Sequence, residues 1–458
     1  VPLDKDGKPV MEKAILLQAD DLIPLGEGKL AWTPPEGTWK LVLITAGVIY
    51  ENTQACESIK PARRYPSLLL PEVADRFVQS THDVYAAHLG EDLNPWFVAT
   101  FTDEPSLMSI FYPPMPYALL PWNDYLAAEF ERRCGYALLP ELLALAVDPG
   151  GKGMRVRCDY FRTVAELFSE NYFGRLQKWC ADHHTLSGGH LLLEEPLLAH
   201  VCLYGDYFRC ARKLDAPGID LLTSIPEEVP FHSARMVSSI AELSGAPVTM
   251  SEVSEFAQRM AKKPPVTVEQ IRGSLNRQIL GGITSFNSYY SYEEITPQQQ
   301  AALSEYTGRC ITLLEGGQRV TDIAVLYPVE SAWAHFLAKP GWVSGHNSVG
   351  GFADSARQVQ DCFRSVSDTL IQHRLDFAYI DTQALLDATI EKRTLKHGEL
   401  EWKVLVLPGV DTLPLTAWEK IEQFWENGGV VIAVGGLPTN STAAFPAPAV
   451  LRLAKTLF

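Results

Sequence analysis

Three carboxylate signals carry the chemistry in this sequence. They are Phe101-Thr-Asp-Glu-Pro105, Gly188-Gly-His-Leu-Leu-Leu-Glu-Glu-Pro196 and Met250-Ser-Glu-Val-Ser-Glu255. Each closes a short strand-like run. In the first two an acid stands directly before proline, which lacks an N–H and cannot extend a ladder, so the acid is presented at the strand's end. Paired carboxyls of this kind suit hydrolysis of a glycosidic bond. One, protonated, gives its proton to the leaving oxygen; the other activates water or attacks the sugar carbon. Single acids at strand ends also cap helices or pair with arginine, so the weight lies in three of them along one β/α series. Glu104, Glu252 and Glu195 are the catalytic candidates.

Lesser signals lie nearby. His190 precedes Glu194 by four residues on one expected strand, Gly189–Glu194, where i and i+4 share a face. Phe286-Asn-Ser-Tyr-Tyr-Ser-Tyr292 offers aromatic faces for sugar rings and polar tips for hydroxyls. Asp103, His190, Asp206, Asn287 and Tyr289 are therefore substrate-binding candidates, and Asp220 is a further acid that could project into the same space. An acid-rich mouth offers hard oxygen ligands suited to Ca²⁺, with Glu194 and Glu255 as the metal candidates. The G-x-S-x-G, G-x-x-x-x-G-K-[ST] and H-E-x-x-H motifs are absent, and Gly350-Gly351 and Gly435-Gly436 do not make a dinucleotide fingerprint. No nucleotide cofactor is expected.

The elements that must position these acids alternate. Short apolar strands (Trp96–Phe101, Gly189–Glu194, Gly218–Leu222, Val248–Glu252, Gly282–Ser288) are separated by helical stretches such as Val156–His183, Tyr204–Lys213, His232–Leu243 and Val268–Leu280. Parallel strands need such crossovers, so the pattern predicts a (β/α)8-type barrel, incomplete at its N-terminal side, with the acids at the C-terminal mouth. A second series from Asp322 to Val434 predicts a flavodoxin- or amidotransferase-like doubly wound sheet. The expected organisation is a β-rich lead-in (1–50, with a hairpin of Gly28–Trp32 and Thr38–Thr45), a barrel (51–318), the second α/β unit (319–440), and a linker or the start of a further domain (441–458).

Composition narrows the partners. The chain of 458 residues has 39 basic and 55 acidic side chains, a formal charge of −16. Such a surface repels nucleic-acid phosphates and anionic membranes. No apolar run approaches the ~20 residues that span a bilayer. Eight scattered cysteines lack C-x-x-C or zinc-finger spacing and read as buried free thiols, which favours a reducing, cytoplasmic compartment. The start, Val1-Pro2-Leu3-Asp4, has no Met and no leader pattern and reads as an internal segment; a secreted or periplasmic location stays open on that ground.

At these motifs the chain resembles glycoside hydrolase family 106, the α-L-rhamnosidases. The resemblance rests on Gly28–Trp32 and Pro35–Trp39, Leu70–Phe77 with His82 and Tyr85, Phe101–Pro105, Gly189-His190 with Glu194-Glu195, Pro217–Asp220 and Ser251-Glu252. It covers roughly residues 25–300. It implies a sugar at the barrel mouth, inversion of the anomeric centre and a calcium ion on the sugar hydroxyls. It also implies Glu104 and Glu252 as catalytic acids and Glu194 or Glu195 as a third carboxylate. The chain departs from that family's pattern at Ser254–Gln258 and in lacking early barrel strands. The Asp322–Val434 region resembles the domain that follows the barrel in family 42 β-galactosidases.

The expected function is cleavage of terminal sugars from glycans by an inverting α-L-rhamnosidase. The alternatives are a retaining β-galactosidase-like enzyme and an inactive carbohydrate-binding or scaffold relative. The expected partner is an oligosaccharide or glycoside, with no nucleic acid and no membrane; further copies or domains of a longer chain stay open.

Overall fold

The computed structural model describes residues 1–10, 13–47, 65–107, 117–148, 150–292, 294–340, 343–344, 348–349 and 352–458. Cys56, Glu293 and Gly350-Gly351 lie outside the described residues. The lead-in forms one short hairpin, β1 (Ile23–Gly26) with β2 (Lys29–Ala31). Residues Thr38–Thr45 do not form the expected second strand. Trp39 makes a single bridge to Pro2, and Leu41, Leu43 and Ile44 are exposed. A strand needs a face to bury, and no described residue between 1 and 47 is buried.

The central unit is half a barrel. Strands β3 (Ala99–Asp103), β4 (Leu186–His190), β5 (Ala216–Leu221), β6 (Met250–Val253) and β7 (Ser285–Ser288) lie side by side in chain order, every pair parallel. The long helix expected over 156–183 is divided. Helix α1 (Gly151–Phe168) passes through a π-turn at Ser169–Phe173 into α2 (Gly174–Asp182). The helix expected over 204–213 is two short ones, α3 (Leu197–Tyr204) and α4 (Tyr207–Ala211), parted at Gly205-Asp206. Gly205 sits at φ +73, and a Cβ there would meet the backbone of α1 at 2.7 Å. Helices α5 (Phe231–Ser244) and α6 (Val268–Gly281) link β5, β6 and β7, close to their expected bounds.

The second unit is a parallel four-stranded sheet of β8 (Ile323–Leu326), β9 (Ala378–Ile380), β10 (Val404–Pro408) and β11 (Val430–Val434), ordered β9-β8-β10-β11. That order, with crossovers between parallel neighbours, is the doubly wound pattern. One continuous apolar core runs from α1 and α3 of the half-barrel into β8, β9 and β10. The segment 441–458, expected as a linker or new domain, folds back here instead: Pro448–Leu457 is a helix that buries Val450, Leu453 and Ala454. Its apolar face was legible only as alanines and leucines among prolines. No described helix is long and apolar enough to cross a membrane. The seven described cysteines are unpaired.

Candidate active site

The mouth is built on a strand with almost no side chains. In β4, Gly188 and Gly189 let β3 approach closely. A Cβ on Gly189, at φ +134, would stand 2.0 Å from Thr102 O. The strand stops at His190, earlier than the expected Glu194, so the shared-face argument for those two residues fails. Glu194 reaches the mouth by another route. Leu193 takes φ +58, and the loop doubles back until Glu194 Oε1 accepts the N–H of Asp220 at 2.9 Å. His200 pins that loop from behind. Its Nε2 is 3.1 Å from Glu194 O, and its Nδ1 is 2.9 Å from the Tyr327 hydroxyl of the second unit. A carbonyl only accepts, so Nε2 carries the proton and Tyr327 donates to Nδ1. Burial pushes the His200 ring down to about 3, which keeps it neutral.

His190 is 1% exposed and is the hub of the site. Its Nε2 lies 2.9 Å from Glu252 Oε2 and 3.5 Å from Asp103 Oδ1, and its Nδ1 lies 4.0 Å from Glu194 Oε1. The Phe101 ring meets it edge-on at 5.5 Å. Burial works against the charged imidazole. The hydrogen bond to Glu252 and the charges of Asp220 and Asp103 outweigh that, and the net pKa is raised.

Glu104 follows β3 at φ +48, a left-handed backbone uncommon outside glycine, and its N–H donates to His190 O at 3.3 Å. Burial raises its carboxyl to about 7. His190 opposes the rise, while Asp103, Asp220 and Glu252 add to it. Asp220 is also raised to about 7, chiefly by burial, with the same histidine opposing. Its Oδ1 is buried without a hydrogen-bond partner among the described residues. Asp220, Glu252 and Asn287 are register partners across β5, β6 and β7, so they form one row facing one side. Tyr289 stands beside that row. Burial lifts its hydroxyl to about 12, Ser254 opposes, and Asp220, Glu252 and Asp103 add to the shift.

The structure thus gathers Asp103, Glu104, His190, Glu194, Asp220 and Glu252, with Asn287 and Tyr289 at the margin. Two candidates, Asp206 and Glu255, lie differently, and Glu195 borders the site. Asp206 caps α4, accepting Arg209 N–H at 3.1 Å. Burial raises it to about 6, against the charge of Arg209, and its other charged neighbours are Asp381 and Arg212 at the junction with the second unit. Glu195 is raised by burial, with a backbone hydrogen bond and the charge of Arg364 opposing, and its own charge helps to raise Glu194 and Asp220. Glu255 accepts Ser291 N–H at 3.0 Å, away from His190. Glu194 and Glu255 engage different amides, and no three described His, Cys, Asp or Glu residues converge as metal ligands. Two features escaped the sequence reading: Gly218, whose bare backbone leaves room for Met250 and the Gly189 carbonyl, and His200. The motif Pro217-Gly-Ile-Asp220 held the first signal; the second had none.

No protein-family model matches this chain. No curated protein matches it either. Solved structures do. A rhamnosidase from Novosphingobium sp. PP1Y is similar at TM-score 0.55 and 16% identity, over 82% of this chain and 35% of that one. Gan42B, a GH42 β-galactosidase from G. stearothermophilus, is similar at 0.53 and 13%, over 84% and 58%. The β-galactosidase of Halorubrum lacusprofundi is similar at 0.55 and 11%, over 84% and 60%. This chain therefore spans between about a third and three fifths of those proteins. At such identities the likeness establishes the fold: a glycosidase-type α/β barrel, here half a barrel, joined to a second α/β unit.

Proposed function

We propose that this chain carries the catalytic barrel of a glycoside hydrolase. One observation supports it most: a carboxyl raised to about 7, Glu104, shares a mouth with a second carboxylate, Glu252, held by a positively inclined histidine. Near neutral pH a large share of Glu104 keeps its proton. In this reading Glu104 donates that proton to the glycosidic oxygen as the bond to the anomeric carbon breaks. Glu252, acceptor-only, takes a proton from the water that attacks the carbon. The hydrogen bond to His190 Nε2 aims Glu252. Asp103, Asn287 and Tyr289 offer polar tips to sugar hydroxyls.

The finer form of the proposal is an inverting α-L-rhamnosidase, supported by the motif resemblance and by the likeness to a rhamnosidase fold. The test is a panel of nitrophenyl glycosides with the intact protein. The expected result is release of nitrophenol from the α-L-rhamnoside, with the inverted sugar as first product by NMR and loss of turnover in Glu104→Gln and Glu252→Gln. Retention with preference for β-galactosides selects the β-galactosidase-like alternative. Turnover of no glycoside rejects the enzyme reading in favour of a carbohydrate-binding relative.

A further inference from the structure

The second unit meets the half-barrel with the ends of its strands. In open α/β sheets ligands bind outside those ends. Here they carry contacts to the half-barrel. Asp381, directly after β9, holds Arg212 Nη2 at 2.6 Å. Tyr327, directly after β8, is fully buried. Its ring stacks on Phe208 at 4.6 Å, and its N–H donates to Ile380 O at 2.8 Å.

Helix α3 lies between that edge and the mouth loop, and the second unit holds it at three places. Gln360 Oε1 accepts Leu198 N–H at 3.1 Å at its start. Trp333 Nε1 donates to Gly205 O at 2.6 Å just past its end. Between these, Tyr327 Oη meets His200 Nδ1 at 2.9 Å. The direction of that bond is fixed from both sides. The Tyr207 backbone amide also bonds the Tyr327 hydroxyl, so the oxygen accepts there and its hydrogen is left for the imidazole. The Tyr207 ring stacks on His200 at 4.5 Å and fixes the plane of the imidazole.

The far side of His200 passes this order on. Its Nε2 donates to Glu194 O, and Glu194 Oε1 accepts the Asp220 N–H. Asp220 stands level with Glu252 in the row of acids. Tyr327, His200 and Glu194 are all buried, so no water replaces a lost link. Without the Tyr327 hydroxyl, Nδ1 is a buried acceptor with no donor, and nothing fixes the proton on Nε2. We propose that Tyr327 is a positioning residue for the mouth: through His200 the second unit sets the loop that carries Glu194, and through Glu194 it sets Asp220. The proposal rests on the glycosidase reading for its effect on turnover.

The test sets Tyr327→Phe against Tyr379→Phe in the intact protein. Each removes one buried hydroxyl from the second unit and keeps the ring, but the Tyr379 hydroxyl donates to Ser367 Oγ at 2.6 Å, within that unit. Two quantities are read: turnover of a nitrophenyl glycoside, and hydrogen exchange of the Asp220 amide by NMR. In Tyr327→Phe, kcat is expected to fall about tenfold with KM within about twofold of wild type, as displaced groups do. Exchange at Asp220 should quicken about tenfold. Tyr379→Phe should change neither. Wild-type kcat or wild-type exchange in Tyr327→Phe overturns the proposal, as do equal changes in both variants. Should no glycoside be turned over, exchange alone decides. Quickening in Tyr327→Phe and not in Tyr379→Phe upholds the link without the enzyme reading, and no quickening overturns it. The unaltered protein gives a check that needs no variant: nitrogen NMR should find the His200 proton on Nε2, and a proton on Nδ1 overturns the bond from Tyr327.

Discussion

His190 Nε2 and Glu252 Oε2 stand 2.9 Å apart although strand β5 runs between their strands. Adjacent strands are about 4.8 Å apart, so the two backbones are separated by roughly 10 Å. The two side chains meet across β5, where His190 is level with Gly218 and Glu252 is level with Asp220, two residues further along. A Cβ on Gly218 would meet Met250 Cγ at 2.4 Å and Gly189 O at 2.9 Å.

Gly218→Ala should cost about 1–3 kcal/mol of stability by overpacking and lower kcat/KM with it. Urea unfolding with activity assay checks this; wild-type values on both counts would show that the space is not needed.

Gly189→Ala meets backbone rather than side chain, at Thr102 O, in a φ that favours glycine. The expected loss is about 3 kcal/mol or more, because the Thr102 backbone it meets is held in the sheet. Thermal melting of the purified variant gives the number, and a melting temperature within a degree of wild type would refute the close approach.

Glu104 acts as an acid, so it must be protonated. With its carboxyl raised to about 7, kcat/KM should fall as pH rises through about 7. Glu104→Gln should remove that alkaline limb. The same variant should lose about 10²–10⁴-fold on substrates with poor leaving groups and much less on activated aryl glycosides. Equal losses on both substrate types would take Glu104 out of the acid role.

Glu330, buried where the second unit meets α1, is raised to about 8 by burial, with Thr382 opposing. The folded state therefore holds a proton that the unfolded chain, with an ordinary value of 4.5, releases earlier. Stability from this group is full below about pH 4.5 and is lost as pH rises through about 8. Glu330→Gln cannot ionise. Its unfolding free energy should decline less than that of the wild type between pH 5 and 8, by on the order of a few kcal/mol. Parallel pH profiles in the two proteins would exclude the group.

The sequence alone determined the periodicities. Apolar strands alternating with helices, acids before proline and the break into a second α/β series near Asp322 are local patterns, and local patterns survive in a string of letters. Hence the fold class and the acids Glu104, Glu252 and Asp220 could be read without coordinates. The tertiary structure decided where chain ends of strands turn. β4 stops at His190, level with the end of β3 at Asp103, and the Leu193 turn carries Glu194 back to Asp220. Asp206 looked like the other acids, yet the break after α3 sends it to the junction between units. The raised carboxyls of Glu104 and Asp220 were equally out of reach of sequence, since burial and the company of one histidine are sums over residues from four strands. Such sums depend on distance in space, and spacing along the chain sets that distance only within an element.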